Sequence, residues 1–81
     1  MFRLFVKTMC PYCDVVKAKL AEFGLEEGKD FKILNISESE EAMNTLIEVG
    51  GKRQVPFLVD DDRHMYESAD IVAYIEKKIA K

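Results

Sequence analysis

The sequence predicts a small α/β domain, with a four-stranded mixed sheet and three helices in the order β-α-β-α-β-β-α. Three observations lead to this prediction. Short apolar runs alternate with helical patterns, glycines mark the joints between them, and the 81-residue chain has room for one domain. Apolar residues make up 48% and charged residues 33% of the chain, a mixture typical of globular proteins. We expect residues 1–81 to form a single domain.

The first half indicates a strand, a helix and a second strand. Phe2 to Val6 is rich in large apolar residues, as in a buried strand. Pro11 suits a first helical turn and Gly24 suits a C-terminal stop. Phe31 to Ile36 is the second expected strand, which a right-handed crossover would place parallel to the first. The residues that share one face of the helix are Cys13, Val16, Leu20 and Phe23.

The next segment has the pattern of an amphipathic helix. Ser37 stands three residues before Glu40, the spacing of a capping box that opens a helix. Gly50 and Gly51 indicate where the helix ends. The apolar stripe expected to face the core consists of Ala42, Leu46 and Val49, widened by Met43 and Ile47.

The last third predicts a hairpin and a final helix. Pro56 to Val59 and His64 to Tyr66 are the two strands, and Asp60–Asp62 is the turn between them, so the pair should be antiparallel. Ser68 is a suitable N-cap for the last helix. The expected apolar face of that helix consists of Val72, Ile75 and Ile79.

Charge and hydropathy exclude several classes of function. Twelve basic and fifteen acidic residues give a net charge of -3, without the basic patch of a nucleic-acid groove. No apolar segment is long enough to span a membrane, and the start is too short for a signal-peptide core. We therefore expect a cytoplasmic protein that binds neither nucleic acid nor membrane. We also expect a monomer.

Cys10 and Cys13 form a pair where the first strand passes into the first helix. Unpaired N–H groups at a helix N-terminus favour an anion, and such settings lower a cysteine pKa from about 8.5 to about 3.5–7.5. Lys7 adds a nearby cation, whereas Cys13 falls on the apolar face of the helix. This asymmetry suits thiol–disulfide exchange, with Cys10 as the nucleophile and Cys13 as the resolving thiol.

Two other interpretations of the cysteine pair stay open at this point. The pair could be half of a zinc site, but zinc takes four ligands and His64 is the only histidine. It could also be an inert structural disulfide, which is unusual in a reducing compartment. The two cysteines beside a βαβ pattern favour a redox motif over both.

The chain resembles the glutaredoxins. The resemblance is carried by the dithiol motif Cys10-Pro11-Tyr12-Cys13, by Lys7 before it and by Val55-Pro56 downstream, and it covers nearly the whole chain. It implies a thioredoxin-like fold and a glutathione-dependent oxidoreductase that reduces protein disulfides and glutathione mixed disulfides. It also implies no tightly bound cofactor and no metal, with glutathione as the reducing cosubstrate.

The resemblance also implies where glutathione binds. Pro56 would be cis, and Val55 would present its backbone to the extended tripeptide. Lys7, with Arg53 or Gln54, would hold the glycyl carboxylate. Pro11 and Tyr12 would lie against the bound ligand.

One segment departs from the glutaredoxin pattern. Tyr66 and Glu67 occupy positions where glutaredoxins usually carry two glycines. Glu67-Ser68 instead resembles the Glu-Ser pair of the N-terminal domain of glutathione transferases. That likeness implies that Ser68 holds the γ-glutamyl carboxylate at a helix N-terminus, and Glu67 could pair with the ligand's ammonium.

Two alternative functions follow from these observations. The departure at Tyr66 and Glu67 leaves open a redoxin that is recharged by thioredoxin reductase or another donor rather than by glutathione. A less favoured alternative is an iron–sulfur cluster carrier, because family members with a proline at the position of Pro11 usually hold no cluster. The expected partners are glutathione, disulfide-containing or glutathionylated proteins and, under the first alternative, a thioredoxin reductase.

Overall fold

The computed structural model describes residues 2–61 and 63–80 and confirms the predicted order of elements. Its bounds differ from the predicted ones by a residue at three strands: the second ends before Ile36, the third begins after Pro56 and the fourth begins before His64. The elements are β1 (Phe2–Val6), α1 (Pro11–Glu22), β2 (Phe31–Asn35), α2 (Glu40–Gly50), β3 (Phe57–Asp60), β4 (Arg63–Tyr66) and α3 (Ser68–Ile79).

The sheet has the strand order β2-β1-β3-β4, which places β1 near its centre. β1 and β2 are parallel, as the crossover rule predicts, whereas β3 is antiparallel to both β1 and β4. Phe5 pairs with Phe57, and Phe57 pairs with Tyr66. The C-terminal end of β1, the N-terminal end of β3 and the C-terminal end of β4 therefore lie next to one another at one end of the sheet.

Two apolar layers cover the two faces of the sheet. On one face, α1 and α3 pack through side chains such as Val16, Leu20 and Ile75. On the other face, α2 packs its Leu46 against Phe5 and neighbouring residues of the sheet. Burial of both faces explains why β1 and β3 consist almost entirely of large apolar residues.

The N-cap of α2 differs from the prediction. Ser39, and not Ser37, occupies that position, where its Oγ accepts a hydrogen bond from the backbone N–H of Ala42 at 3.1 Å. The Oγ of Ser37 instead accepts from the N–H of Thr8 at 3.1 Å. Ser37 therefore supports the loop after β1, and the predicted capping box is wrong.

The predicted apolar faces of α2 and α3 are wrong at their margins. In α2, Met43 belongs to neither apolar cluster of the described residues, and Ile47 is 39% exposed. In α3 the buried pair is Ile71 and Ile75, and Ile79 is 39% exposed. Twelve helical residues rise about 18 Å, whereas a four-residue strand spans about 13 Å, so the end of α3 extends past the strands that could cover it.

The acidic turn between β3 and β4 is only partly as predicted. Asp60 belongs to β3 and is buried, Asp61 forms the turn with a φ of 54°, and Asp62 lies outside the described residues. Among the helices within residues 2–61 and 63–80, none combines the length and hydropathy needed to cross a membrane.

Candidate active site

Cys10 and Cys13 are joined by a disulfide at the N-terminus of α1, with their Cα atoms 5.2 Å apart. β1 ends at Val6, and a short loop carries the chain to Cys10, the N-cap of the helix. Cys10 is 4% exposed and Cys13 is fully buried. The asymmetry expected from the sequence is therefore present, because Cys10 keeps some access to solvent and Cys13 has none.

The backbone of α1 interacts directly with the sulfur of Cys10. The N–H of Cys13 donates to Cys10 Sγ at 3.1 Å, as it would to the side chain of a serine or aspartate N-cap. The positive end of the helix dipole lies at the same place. After reduction, both interactions would stabilise a thiolate at Cys10 more than a neutral thiol, which suits a nucleophile.

A groove of about 380 Å³ includes Tyr12, which stands between the two cysteines in the chain, and it collects residues from three parts of the chain. Tyr12 comes from α1, the segment before β3 contributes a second wall, and the start of α3 contributes the third. These parts meet because the C-terminal end of β1, the N-terminal end of β3 and the C-terminal end of β4 lie at the same end of the sheet. The residues that line the groove are Tyr12, Gln54, Val55, Pro56, Glu67 and Ser68.

The Val55–Pro56 peptide bond is cis, as the resemblance implied. Pro56 is buried, and the half-buried side chain of Val55 packs against both apolar layers of the fold. This packing fixes the wall of the groove that lies just before β3.

The opposite wall begins with Glu67, whose backbone has an unusual conformation. Its φ is 73°, in the region that favours glycine, although its side chain is a glutamate. Its carboxylate accepts a hydrogen bond from Gln54 Nε2 at 3.2 Å, so the two walls of the groove are bonded to each other. The fold thus keeps a glycine-type backbone at a position where glutaredoxins usually carry glycine.

Ser68 does not have the predicted role of an N-cap. Glu67 occupies the cap position, without a side-chain cap hydrogen bond, and Ser68 is the first residue of α3. Ser68 is one of the residues that line the groove. This position fits contact with a ligand better than it fits a structural cap.

Six of the predicted site residues therefore line one groove, and one of them is the tyrosine of the Cys10–Cys13 motif. Pro11 is the first residue of α1 and is exposed. Lys7 and Arg53 are also exposed, and neither is among the residues that form the walls of the groove. His64, the only histidine, pairs with Val59 in the sheet rather than approaching the cysteines.

Sequence reasoning missed two features of this end of the sheet. Met9, directly before Cys10, is 90% exposed with a φ of 57°. Tyr66 donates a hydrogen bond to the carbonyl of Lys52 in the loop before Gln54. The sequence carried a signal only for Tyr66, as a large residue at a glycine position.

Three ionisable groups with shifted pKa values lie at the opposite ends of β3 and α3 from the groove. Burial alone would raise the pKa of Asp60, but hydrogen bonds from Tyr74 Oη at 2.6 Å and Lys78 Nζ at 2.9 Å outweigh it and lower that pKa below 3.8. The hydrogen bond to Asp60 in turn raises the pKa values of Tyr74 and Lys78. This cluster supports the fold rather than the groove.

Over the part of the chain that the structure describes, no three His, Cys, Asp or Glu side chains are grouped so that they could hold a metal ion.

The chain is similar in sequence to glutathione S-transferase N-terminal domains and to a glutaredoxin. The family model for the glutathione S-transferase N-terminal domain matches residues 4–81. Glutaredoxin 2 of Escherichia coli strain K12 is 39% identical over 76 residues, which cover 93% of this chain and 33% of that protein. This chain thus spans about a third of the length of that curated relative.

Solved structures give the same picture of the fold. The crystal structure of a thioredoxin-like protein matches with a TM-score of 0.77 at 16% identity, covering 93% of this chain and 99% of that one. A glutathione transferase homologue from Drosophila mojavensis, crystallised with bound glutathione, matches with a TM-score of 0.74 at 29% identity. That match covers 99% of this chain and 36% of the homologue.

Proposed function

Because the chain belongs to the family of glutathione S-transferase N-terminal domains and is a glutaredoxin-like protein of the thioredoxin fold, we propose that it is a thiol–disulfide oxidoreductase. We further propose that glutathione is its reducing cosubstrate, and that protein disulfides and glutathione mixed disulfides are its substrates. The observation that carries this proposal is the Cys10–Cys13 disulfide at a helix N-terminus, where Tyr12 between the two cysteines lines a groove that also holds polar side chains.

The monothiol reaction needs only Cys10. Its thiolate attacks the glutathione sulfur of a mixed disulfide, forms a Cys10–glutathione disulfide and expels the substrate thiolate, which takes up a proton. The thiolate of a second glutathione then attacks the glutathione sulfur on Cys10. Oxidised glutathione leaves with the new disulfide bond, and Cys10 returns as a thiolate, so each cycle consumes one free glutathione and joins it to the glutathione taken from the substrate.

The dithiol reaction adds Cys13. Cys10 attacks a protein disulfide and forms a mixed disulfide with it, releasing one substrate thiol. Cys13 then loses its proton and attacks Cys10 Sγ, which releases the second substrate thiol and leaves the Cys10–Cys13 disulfide. The burial of Cys13 beneath Cys10 supports this order, because an outside disulfide can reach only Cys10.

The groove offers a partner for each part of glutathione. Glutathione carries a carboxylate at each end and an ammonium beside the γ-glutamyl carboxylate. We place the γ-glutamyl end at the start of α3, where Ser68 and the helix N–H groups would bind its carboxylate and Glu67 its ammonium. The backbone of Val55 would pair with the extended middle of the tripeptide. The amide of Gln54, which the ligand's ammonium would displace from Glu67, would then turn to the glycyl carboxylate.

Three further residues would assist glutathione binding without a direct polar contact in the groove. Tyr12, which is 67% exposed, would lie against the bound tripeptide. Lys7 and Arg53 stay predicted contributors to the glycyl end; since neither is part of a groove wall, we expect them to act as nearby cations that attract the anionic ligand.

A coupled assay tests the proposal. The full chain is incubated with NADPH, glutathione reductase, glutathione and a small glutathione mixed disulfide, and NADPH consumption is followed for wild type, Cys10→Ser and Cys13→Ser. We expect wild type and Cys13→Ser to turn over and Cys10→Ser to be inactive. Since both variants replace a buried sulfur by oxygen, each is a control for the structural effect of the other.

Two results would contradict parts of the proposal. Turnover by Cys10→Ser would show that Cys10 is not the nucleophile. Absence of turnover by a wild-type protein that dithiothreitol still reduces would reject glutathione as the cosubstrate. Reduction by NADPH and thioredoxin reductase in that second case would instead support the alternative redoxin.

A further inference from the structure

Tyr66 connects the sheet to the loop that forms one wall of the groove. Its ring stacks on Phe57 of the neighbouring strand, with centroids 4.5 Å apart and planes inclined by 33°. Its Oη donates to the carbonyl oxygen of Lys52 at 3.0 Å, and Lys52 Nζ lies 4.7 Å from the centroid of the same ring. A single loop residue is thus held through both its backbone and its side chain.

Gly50 provides the space for this arrangement. It is the last residue of α2, and a Cβ added there would overlap the hydroxyl of Tyr66 and lie 3.0 Å from Phe57 Cζ. Because the ring of Tyr66 is held against Phe57 and its hydroxyl is held by Lys52, it has little freedom to move aside. Gly50 and Tyr66 therefore form a matched pair.

Tyr66 and its neighbour Glu67 hold the loop at two points. Tyr66 bonds to Lys52, and Glu67 accepts from Gln54, two residues further along the loop. The segment from Gly51 to Pro56 belongs to no helix or strand, so these side chains supply order that secondary structure does not.

We propose that Tyr66 is a positioning residue for the oxidoreductase reaction: it holds the loop around Lys52 so that Gln54 and Val55 meet the glutathione part of the substrate. This inference rests on the proposed function. It assigns a role to one of the two side chains that stand where glutaredoxins usually carry glycine. Tyr66 itself touches neither the substrate nor the sulfur atoms in this account.

The test compares two variants, each of which removes the hydroxyl group of one tyrosine. Tyr66→Phe removes only the hydroxyl that bonds to Lys52 and keeps the ring on Phe57. Tyr74→Phe is the matched control, because Tyr74 also donates a hydroxyl hydrogen bond, to Asp60, but at the other end of β3. In the coupled assay we expect Tyr66→Phe to raise the KM for the mixed disulfide by about 2- to 12-fold, the equivalent of one neutral hydrogen bond, with kcat within about twofold of wild type.

A second readout does not depend on turnover. Lys52 and Arg53 are exposed and form adjacent trypsin sites within the loop. With Tyr66→Phe, and likewise with Gly50→Ala, we expect cleavage at these two sites to be about 2- to 12-fold faster than in wild type. With Tyr74→Phe, any faster cleavage should be spread over the chain, because that variant lowers global stability.

Each outcome decides the proposal. Faster local cleavage together with a raised KM in Tyr66→Phe, and neither change in the Tyr74→Phe control, supports it. Wild-type cleavage rates, or faster cleavage with an unchanged KM, would overturn it. If the wild-type protein itself has no glutathione-dependent turnover, the proposed function has failed, and the cleavage rates alone decide whether Tyr66 holds the loop.

Discussion

The side-chain amide of Gln54 donates to Glu67 Oε2 at 3.2 Å and joins the two walls of the groove. Glu67 makes this contact from a backbone conformation with a φ of 73°, which favours glycine. A strained residue beside a groove is more readily explained by ligand binding than by stability. When glutathione binds, we expect its ammonium to replace the amide of Gln54 as the partner of this carboxylate.

Glu67→Gly tests whether this residue serves binding rather than stability. Relief of the strained positive-φ backbone would gain about 1–3 kcal/mol. The greater freedom of glycine in the unfolded chain and the loss of the hydrogen bond from Gln54 would together offset about 1–2.5 kcal/mol of it. We therefore expect the free energy of unfolding, measured by urea titration, to stay within about 1 kcal/mol of wild type. Loss of the carboxylate should raise the KM for the glutathione mixed disulfide roughly tenfold.

Glu67→Gln is the matched control, because it keeps the size and the strain and removes only the charge. We expect it to raise the same KM with unchanged stability. A wild-type KM in both variants would show that Glu67 does not contact the ligand.

Ser68 and Ser39 offer a second matched comparison, since both stand at the start of a helix. Ser39 caps α2 through its hydrogen bond with Ala42, so Ser39→Ala should lower the free energy of unfolding by about 1 kcal/mol and leave the KM unchanged. Ser68 lines the groove without being the cap, so Ser68→Ala should raise the KM and leave stability unchanged. If Ser39→Ala raised the KM and Ser68→Ala lowered the free energy of unfolding, the assignment of both serines would be contradicted.

The two serines before α2 also show the limit of sequence reasoning about helix ends. Ser37 and Ser39 both precede a helical pattern, and the spacing of Ser37 to Glu40 favoured the wrong one. The decisive contact is that of Ser37 with Thr8, which lies 29 residues away in the chain. Such a contact depends on the parallel pairing of β1 and β2 and leaves no local pattern.

Adjacent residues of α2 test the corrected core. Leu46 is fully buried against the sheet, and Ile47 next to it is 39% exposed. We expect Leu46→Ala to lower the free energy of unfolding by about 2–5 kcal/mol and Ile47→Ala by less than about 1 kcal/mol. Urea titrations of the two variants measure this difference, and equal losses would show that the helix packs in another orientation.

Asp60 should make stability depend on pH in the acid range. Its pKa is lowered below 3.8 in the folded protein by its hydrogen bonds to Tyr74 and Lys78, which outweigh the effect of burial. A carboxyl group with a lowered pKa stabilises the folded protein. This stabilisation is fully present above the unfolded-state pKa of 3.8 and is lost as the pH falls through the folded-state pKa.

Asp60→Asn removes the charge and measures this contribution. We expect it to lower the free energy of unfolding at neutral pH by about 1–3 kcal/mol. The gap between wild type and variant should then narrow as the pH falls below 3.8. A gap that stayed constant over the acid range would show that the loss comes from packing rather than from ionisation.

The fold and the cysteine pair could be predicted because their signals are local. β1 is a continuous apolar run, and the Cys10-Pro11-Tyr12-Cys13 motif lies where a strand pattern passes into a helix pattern. The contacts that shape the groove have no such local signal in the sequence. Gln54 meets Glu67, and Lys52 meets Tyr66, only because the β3–β4 hairpin places Tyr66 opposite Phe57.

In the proposed mechanism, Cys10 carries the sulfur that exchanges with glutathione. This role can be tested by incubating reduced Cys13→Ser and reduced Cys10→Ser separately with oxidised glutathione, and locating any adduct by peptide mass spectrometry. Each variant keeps one thiol, so the site and the rate of adduct formation are unambiguous. We predict one glutathione on Cys10 in Cys13→Ser, and little or none on the fully buried Cys13 in Cys10→Ser. Faster modification of Cys13 than of Cys10 would contradict the proposed mechanism.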